Sequence, residues 1–156
     1  MAISLKAGDK APDFTGVDQH NKQHSLADYA GETLILYFYP KDDTPGCTKE
    51  ACNLRDNYQA LLDKGYKVLG VSVDDVASHQ KFAEKHNLPF PLLADTDKKI
   101  VTDYEVWGEK NMYGKKFMGI TRATFVIGPD GTIKHVFKKV KTDDHTNQIL
   151  EKLEAA

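Results

Sequence analysis

The longest apolar run in the chain is TLILYFY, residues 33–39, which is rich in β-forming residues and has no polar alternation. That pattern predicts a strand buried on both faces. Before it, GDKAPDFTGVDQHNKQHSL reads as short extended pieces joined by polar turns, an N-terminal β-hairpin extension. SLADYAG follows as a brief helical turn, with Ser25 in a capping position and Gly31 at its end. From Pro45 to Lys64 the period becomes helical, with Ala51, Leu54, Tyr58, Leu61 and Leu62 on one stripe and Gly65 as the stop. YKVLGVSV (66–73) predicts a second strand, VASHQKFAEKHN a second helix ending near Asn87, and FPLLAD a short third strand. A helix through KKIVTDYEV comes next. TRATFVIG and TIKHVFKKV then flank Pro129-Asp130-Gly131, a strong hairpin signal. The chain closes on DDHTNQILEKLEAA, whose Ile149, Leu150 and Leu153 can dock a last helix.

Strand–helix–strand–helix–strand, followed by a hairpin and a helix, is an α/β plan with a central mixed sheet flanked by helices. Its central strands are expected to be parallel and the 122–138 hairpin antiparallel, the element order of a thioredoxin-like fold. No repeat, low-complexity stretch or linker interrupts the 156 residues, so one domain over 1–156 is expected, large enough for a real core. Hydrophobic residues make up 40% and charged residues 28%, with a formal charge of −2 and no block of like charges. A basic face for nucleic acid or an anionic membrane is therefore not expected. MAISLKAGDKAPDF lacks the apolar core of a signal peptide, and no run is long enough to span a bilayer. The expected location is the cytoplasm, where a disulfide is more often transient and catalytic than structural. On composition alone, the two cysteines would read as inert thiols.

Their setting changes that reading. In FYPKDDTPGCTKEAC (38–52), Thr44 suits a helix N-cap and Pro45 the first helical position, where no amide donor is needed. Cys47 then falls three residues after the cap, where a capping box places Glu. The free amides and positive end of a helix favour an anion there, and the thiolate is the nucleophilic form of cysteine. On the same helix, Cys52 is rotated about 140° from Cys47 and displaced about 7.5 Å along the axis. The Cα atoms would lie roughly 8–9 Å apart, beyond the ~7 Å reach of a disulfide. Either the cysteines never pair, or the first turns unwind when they do.

PKDDTPGC fits Pro-x-x-x-Thr-x-x-Cys and resembles the active-site signature of the peroxiredoxins. The longer run FYPKDDTPGCTKEACNLRD is similar to the peroxiredoxin Q, or bacterioferritin comigratory protein, branch. AGDKAPDF, LGVSVD, VWGEKNMYGKKFMGITRATFVI and PDGTIKHVF agree in order along nearly the whole chain. The resemblance implies that Cys47 is the peroxidatic cysteine and Cys52 the resolving one, within a single helix. It also implies that Thr44 orients the peroxide, that Pro40 packs over the sulfur, and that Arg122 holds the thiolate and peroxide oxygens. These roles agree with the chemistry, because fixed donors aimed at a leaving oxygen lower the barrier and a guanidinium supplies several in a rigid plane. A resolving thiol must capture the sulfenic acid before it oxidises further. The implied activity is reduction of hydrogen peroxide and organic hydroperoxides with no bound cofactor. Thioredoxin is the expected reductant, glutaredoxin a second option, and the monomer the expected state.

Glu50, one turn after Cys47, reads first as a solvated helix residue, with pairing to Arg122 as the other option. Trp107 reads as a packing or substrate-rim residue. The histidines at 20, 24, 79, 86, 135 and 145 show no metal-ligand spacing, and two close thiols do not make a zinc motif. No metal site is expected. No Gly-rich phosphate loop supports a nucleotide enzyme. The alternative from another class is a redox-regulated binding protein or holdase that uses the same disulfide switch to expose a surface.

Overall fold

The computed structural model describes residues 3–154, so Met1, Ala2 and the last two residues of the expected terminal helix, Ala155 and Ala156, lie outside the described residues. Strands β1 (Thr15–Val17) and β2 (Gln23–Ser25) pair antiparallel as the N-terminal hairpin. A 3-10 turn over Leu26–Tyr29 follows, where Asp28 accepts the Ser25 N–H at 2.9 Å. Strand β3 (Thr33–Phe38) is buried at every position, as an apolar run without alternation requires. Its odd and even residues serve two cores. Leu34, Leu36 and Phe38 face one cluster, while Ile35 and Tyr37 face a second that also holds Cys47, Ala51 and Leu54.

The first helical stretch is broken where one continuous helix was expected. Helix α1 (Pro45–Asp56) stops, and α2 (Tyr58–Asp63) restarts after Asn57, whose side-chain amide donates to the Asn53 carbonyl at 2.8 Å. An asparagine that takes a carbonyl four residues back competes with the backbone ladder at that point. Gly65, at φ 83, ends the segment as expected. Then come β4 (Tyr66–Ser72), α3 (Val76–His86), β5 (Leu92–Ala94) and α4 (Lys99–Asp103). Helix α4 is shorter than expected. Tyr104 turns into the core, with its ring 5.1 Å from that of Phe125, and its hydroxyl donates to the Pro12 carbonyl at 2.7 Å.

Sequence periodicity did not show the hairpin of β6 (Trp107–Met112) and β7 (Lys115–Ile120), which turns at Tyr113 and Gly114. Both turn residues have positive φ, at 54 and 80, as a two-residue primed turn demands. Strands β8 (Ala123–Ile127) and β9 (Ile133–Phe137) form the expected hairpin across residues 128–132, and α5 (His145–Glu154) closes the fold. The central sheet has the order β5-β4-β3-β8-β9. Its β3–β4 and β4–β5 pairs are parallel, and β3–β8 and β8–β9 are antiparallel, a mixed sheet of thioredoxin-like type. Among the described residues, no helix is long and apolar enough to cross a membrane.

Candidate active site

The site forms at the carboxyl end of β3, where a loop over residues 39–44 leads into α1. Asp43 takes φ 58, a left-handed turn that aspartate tolerates better than most residues, and the chain reverses into the helix. Thr44 is the N-cap residue in extended conformation, and Pro45 begins the helix. The Thr44 hydroxyl does not cap. It donates to the Lys41 carbonyl at 2.9 Å, so the cap residue gives the first-turn amides no side-chain acceptor. The first helical bond runs from Thr48 N–H to the Thr44 carbonyl at 2.8 Å. Amides free at a helix start suit an anion.

Cys47 lies in this first turn with 1% of its surface exposed. Pairing of β8 with β3 sets Ala123 opposite Phe38, which brings Arg122, just before β8, beside the end of β3. Its guanidinium forks between two partners. Nη2 donates to Cys47 Sγ at 3.1 Å, and Nη1 donates to Glu50 Oε1 at 2.6 Å. Burial lowers the Arg122 pKa, but Glu50 and Cys47 outweigh it and hold the group above its ordinary value. Gly46 makes room for the fork, since a Cβ there would stand 3.2 Å from Nη2.

Glu50 corrects the solvated reading, because its position three residues after Cys47 puts it on the same buried face of α1, fully shielded. Burial pushes its carboxyl up to about 7 despite the opposing pull of Arg122. Its second oxygen, Oε2, accepts no hydrogen bond among the described residues, although His145 Nε2 stands 3.7 Å away. The tautomer of His145 explains this. Gln148 Oε1 accepts the Lys141 N–H at 3.1 Å and lies 2.8 Å from His145 Nδ1, so Nδ1 carries the proton. Nε2 is then an acceptor, and the Thr124 hydroxyl donates to it at 2.8 Å. Burial lowers the His145 pKa to about 4, so the ring is neutral at pH 7 and is no counter-ion for Glu50. Arg122 is the sole cation among the groups bonded to that carboxylate.

The remaining expected residues are near in sequence but differently placed. Pro40 stands half-buried at the head of the loop. Cys52 is half-buried farther along α1, and both thiols are free. Five helical residues hold their Cα atoms about 8–9 Å apart. Trp107 is half-buried against the core, with Lys98 Nζ 5.6 Å from its ring centre. Pattern reasoning passed over Gly46, Thr124, Gln148 and His145. For His145 a signal existed, since it lies four residues before the buried Ile149 on the apolar face of α5. A second cluster joins the buried Asp42 and His79 to the half-buried Asp74, with ligand-type atoms within 4.8 Å of one another. Both His79 nitrogens already have protein partners, Asp42 Oδ2 at 2.7 Å and the Leu93 carbonyl at 2.9 Å.

A thioredoxin-like fold that sets a free cysteine at a helix start, against an arginine held by a buried glutamate, defines a thiol-dependent peroxidase. The comparisons with known proteins agree. A model of the AhpC/TSA family matches residues 7–136. The chain is 47% identical to peroxiredoxin Bcp of Escherichia coli K12 over 146 residues, 94% of each protein. It superposes on a cysteine-to-serine variant of PrxQ from Xylella fastidiosa with a TM-score of 0.92 and 34% identity, covering 99% of this chain and 98% of that one. For the bacterioferritin comigratory protein of Xanthomonas campestris the TM-score is 0.88 at 38% identity, covering 96% and 98%. The chain belongs to the AhpC/TSA family and is a peroxiredoxin of the Bcp/PrxQ type, as its PKDDTPGC segment implied.

Proposed function

We propose that Cys47 is the peroxidatic cysteine and Cys52 its resolving partner, in a single domain that works as a cytoplasmic monomer. The observation that carries this reading is the Arg122 Nη2 to Cys47 Sγ contact of 3.1 Å at a helix start whose cap residue leaves amide donors free. Thiolate sulfur attacks one peroxide oxygen and the O–O bond breaks. The alkoxide or hydroxide leaves and takes up a proton, and Cys47 becomes a sulfenic acid. Arg122 and the first-turn amides are positioned to stabilise charge on the oxygens. Thr44 orients the peroxide and Pro40 shields the sulfur. The first turns of α1 then unwind, Cys52 sulfur displaces the sulfenic oxygen as water, and a Cys47–Cys52 disulfide results. A dithiol reductant, thioredoxin or glutaredoxin, returns both thiols, and no bound cofactor enters the cycle.

The substrate class is hydrogen peroxide and organic hydroperoxides. The similar Xanthomonas campestris protein is described for alkyl peroxide reduction, which supports the organic part of that range. The test is intact mass before and after one equivalent of peroxide. A loss of two hydrogens localised to Cys47 and Cys52 is expected; unchanged mass, or a gained oxygen that persists, overturns the assignment. Peroxide-dependent NADPH consumption with thioredoxin and its reductase, against glutaredoxin and dithiothreitol, then identifies the reductant.

A further inference from the structure

The loop that delivers Cys47 is fastened to α3 by a buried cluster that the peroxide chemistry does not use. Asp42 Oδ1 accepts the Tyr39 hydroxyl at 2.6 Å, and Oδ2 accepts the Ser78 hydroxyl at 2.8 Å. His79 Nδ1 lies 2.7 Å from the same Oδ2. The Leu93 carbonyl can only accept, so His79 Nε2, 2.9 Å away, carries a proton. A second proton lies between Nδ1 and a carboxylate that already receives two hydroxyl donors. The arrangement is therefore an imidazolium–carboxylate pair. Burial pulls the His79 pKa down, but the hydrogen bond to Asp42, its charge and the Leu93 carbonyl outweigh it and hold the group above its ordinary value. The main chain is fixed at the same residue, since Asp42 N–H donates to Asp74 Oδ2 at 2.8 Å, and Ser72 Oγ braces that oxygen at 2.7 Å.

Asp42 is thus pinned through both side chain and backbone, two residues before the helix cap. The neighbouring attachment is weaker. Asp43 reaches Lys85 at 2.8 Å and His86 at 3.2 Å, but the Asp43–Lys85 pair is exposed, and solvent screens it. The buried pair, with its cation 0% exposed, dominates.

We propose that His79 is a positioning residue: through Asp42 it latches residues 39–44 in the arrangement that presents Cys47, and this latch must loosen before the first turn of α1 can open toward Cys52. The proposal rests on the cysteine roles given above. Contacts made only in the closed arrangement stabilise it and slow its opening. Weakening the latch speeds disulfide formation and shortens the time for which the sulfenic acid is exposed to a second peroxide.

The test uses His79→Ala and, because α3 packing tolerates it more easily, Ser78→Ala, which removes one donor to Asp42. Hydrogen exchange on the reduced proteins, without peroxide, comes first. Amides of residues 41–49 in His79→Ala are expected to exchange at least about tenfold faster, the effect of losing one hydrogen bond to a charged group. Ser78→Ala is expected to move the same way by a smaller factor, with β4 amides unchanged in both. If folded variants keep wild-type exchange in 41–49, the latch is wrong, whatever the protein does with peroxide. Should His79→Ala not fold, Ser78→Ala decides. The second measurement is the peroxide concentration that converts half of Cys47 to sulfinic acid, read by mass. It is expected to rise about threefold or more in the variants, as capture by Cys52 outruns the second oxidation. An unmoved threshold with faster exchange overturns the link to Cys52. A wild-type protein whose Cys47 does not oxidise breaks the peroxidase reading instead, and the exchange result still judges the latch.

Discussion

Replacing Arg122 by alanine removes the cation bonded to the buried Glu50 carboxyl, and the cost should depend on pH in a calculable way. Glu50 titrates at about 7 in the fold, against an ordinary value of 4.5. Its effect on stability is absent below 4.5, where folded and unfolded chains both hold the proton. The penalty grows as pH rises and is complete above 7, amounting to roughly 3 kcal/mol at about 1.4 kcal/mol per pH unit. That penalty exists even with Arg122 in place. Breaking a buried pair from one side typically costs about 3–5 kcal/mol more, but a carboxyl that keeps its proton escapes most of it. In a Cys47→Ser background, which removes the thiol from the comparison, Arg122→Ala is expected to cost about 1 kcal/mol at pH 6 and at most about 3 kcal/mol at pH 8.5, because a Glu50 that keeps its proton limits the added loss to about 1.4 kcal/mol for each pH unit above 7. Adding Glu50→Gln should bring the loss at pH 8.5 back to about 1 kcal/mol, because no buried charge is left without a partner. Urea unfolding followed by circular dichroism at the two pH values measures all four corners of the cycle. Equal losses at pH 6 and 8.5, or simple addition of the two substitutions, would refute the claim that Arg122 neutralises Glu50.

Cys47→Ser should abolish peroxide consumption, whereas Cys52→Ser should allow one fast oxidation and then accumulate Cys47 carrying two or three oxygens, visible by intact mass. Normal turnover of Cys52→Ser with thioredoxin would remove Cys52 from the resolving role. Gly46→Ala places a methyl 3.2 Å from Arg122 Nη2 and should slow peroxide attack about tenfold or more by displacing the guanidinium, with the melting temperature little changed; an unaltered stopped-flow rate would show that the fork tolerates the shift. His145 is held down to about 4 from an ordinary 6.5, so its effect is absent above 6.5 and stability is lost as pH falls from there to 4, by roughly 3 kcal/mol. His145→Gln should flatten that acid slope in urea titrations; a wild-type slope would assign it elsewhere.

The parts of the fold that were legible in the sequence are those where one physical demand dominates. TLILYFY could only be buried on both faces, and β3 is. Thr44, Pro45 and Cys47 stand at the cap, the first helical position and the first turn as local backbone preferences require. The misread parts are those decided by particular side-chain partners, near or far along the chain. Asn57 breaks a helix that the apolar stripe carried straight through, because its amide prefers the Asn53 carbonyl. The β6–β7 hairpin exposes Met112, Tyr113, Phe117 and Met118, so no in–out alternation marked it, and only the Tyr113-Gly114 turn betrayed it. Glu50 looked solvated because polarity is the stronger prior, and its burial follows from Arg122, 72 positions along the chain. Asp42 and His79 were invisible for the same reason, being 37 positions apart and useful only as a pair.

The spacing of the two cysteines makes sense as a contest between two requirements on one helix start. In the proposed cycle, attack needs Cys47 buried against Arg122, with α1 wound down to its first residue as it is here. Capture by Cys52 needs the same turn undone, since a wound helix keeps the Cα atoms about 8–9 Å apart. In the proposed cycle the chemistry itself shifts the balance. A thiolate attracts the Arg122 guanidinium as an opposite charge, whereas a neutral sulfenic acid keeps only a hydrogen bond from the same cation. The added oxygen must also fit where 1% of the cysteine is exposed. Oxidation therefore weakens the closed turn from within. Had the pair been three or four residues apart, the thiols would face each other across one helical turn and could join with less unwinding. In that cycle, separation by five ties disulfide formation to opening of the helix, so the contacts that hold residues 39–47 in place would also time the release of Cys47 to Cys52.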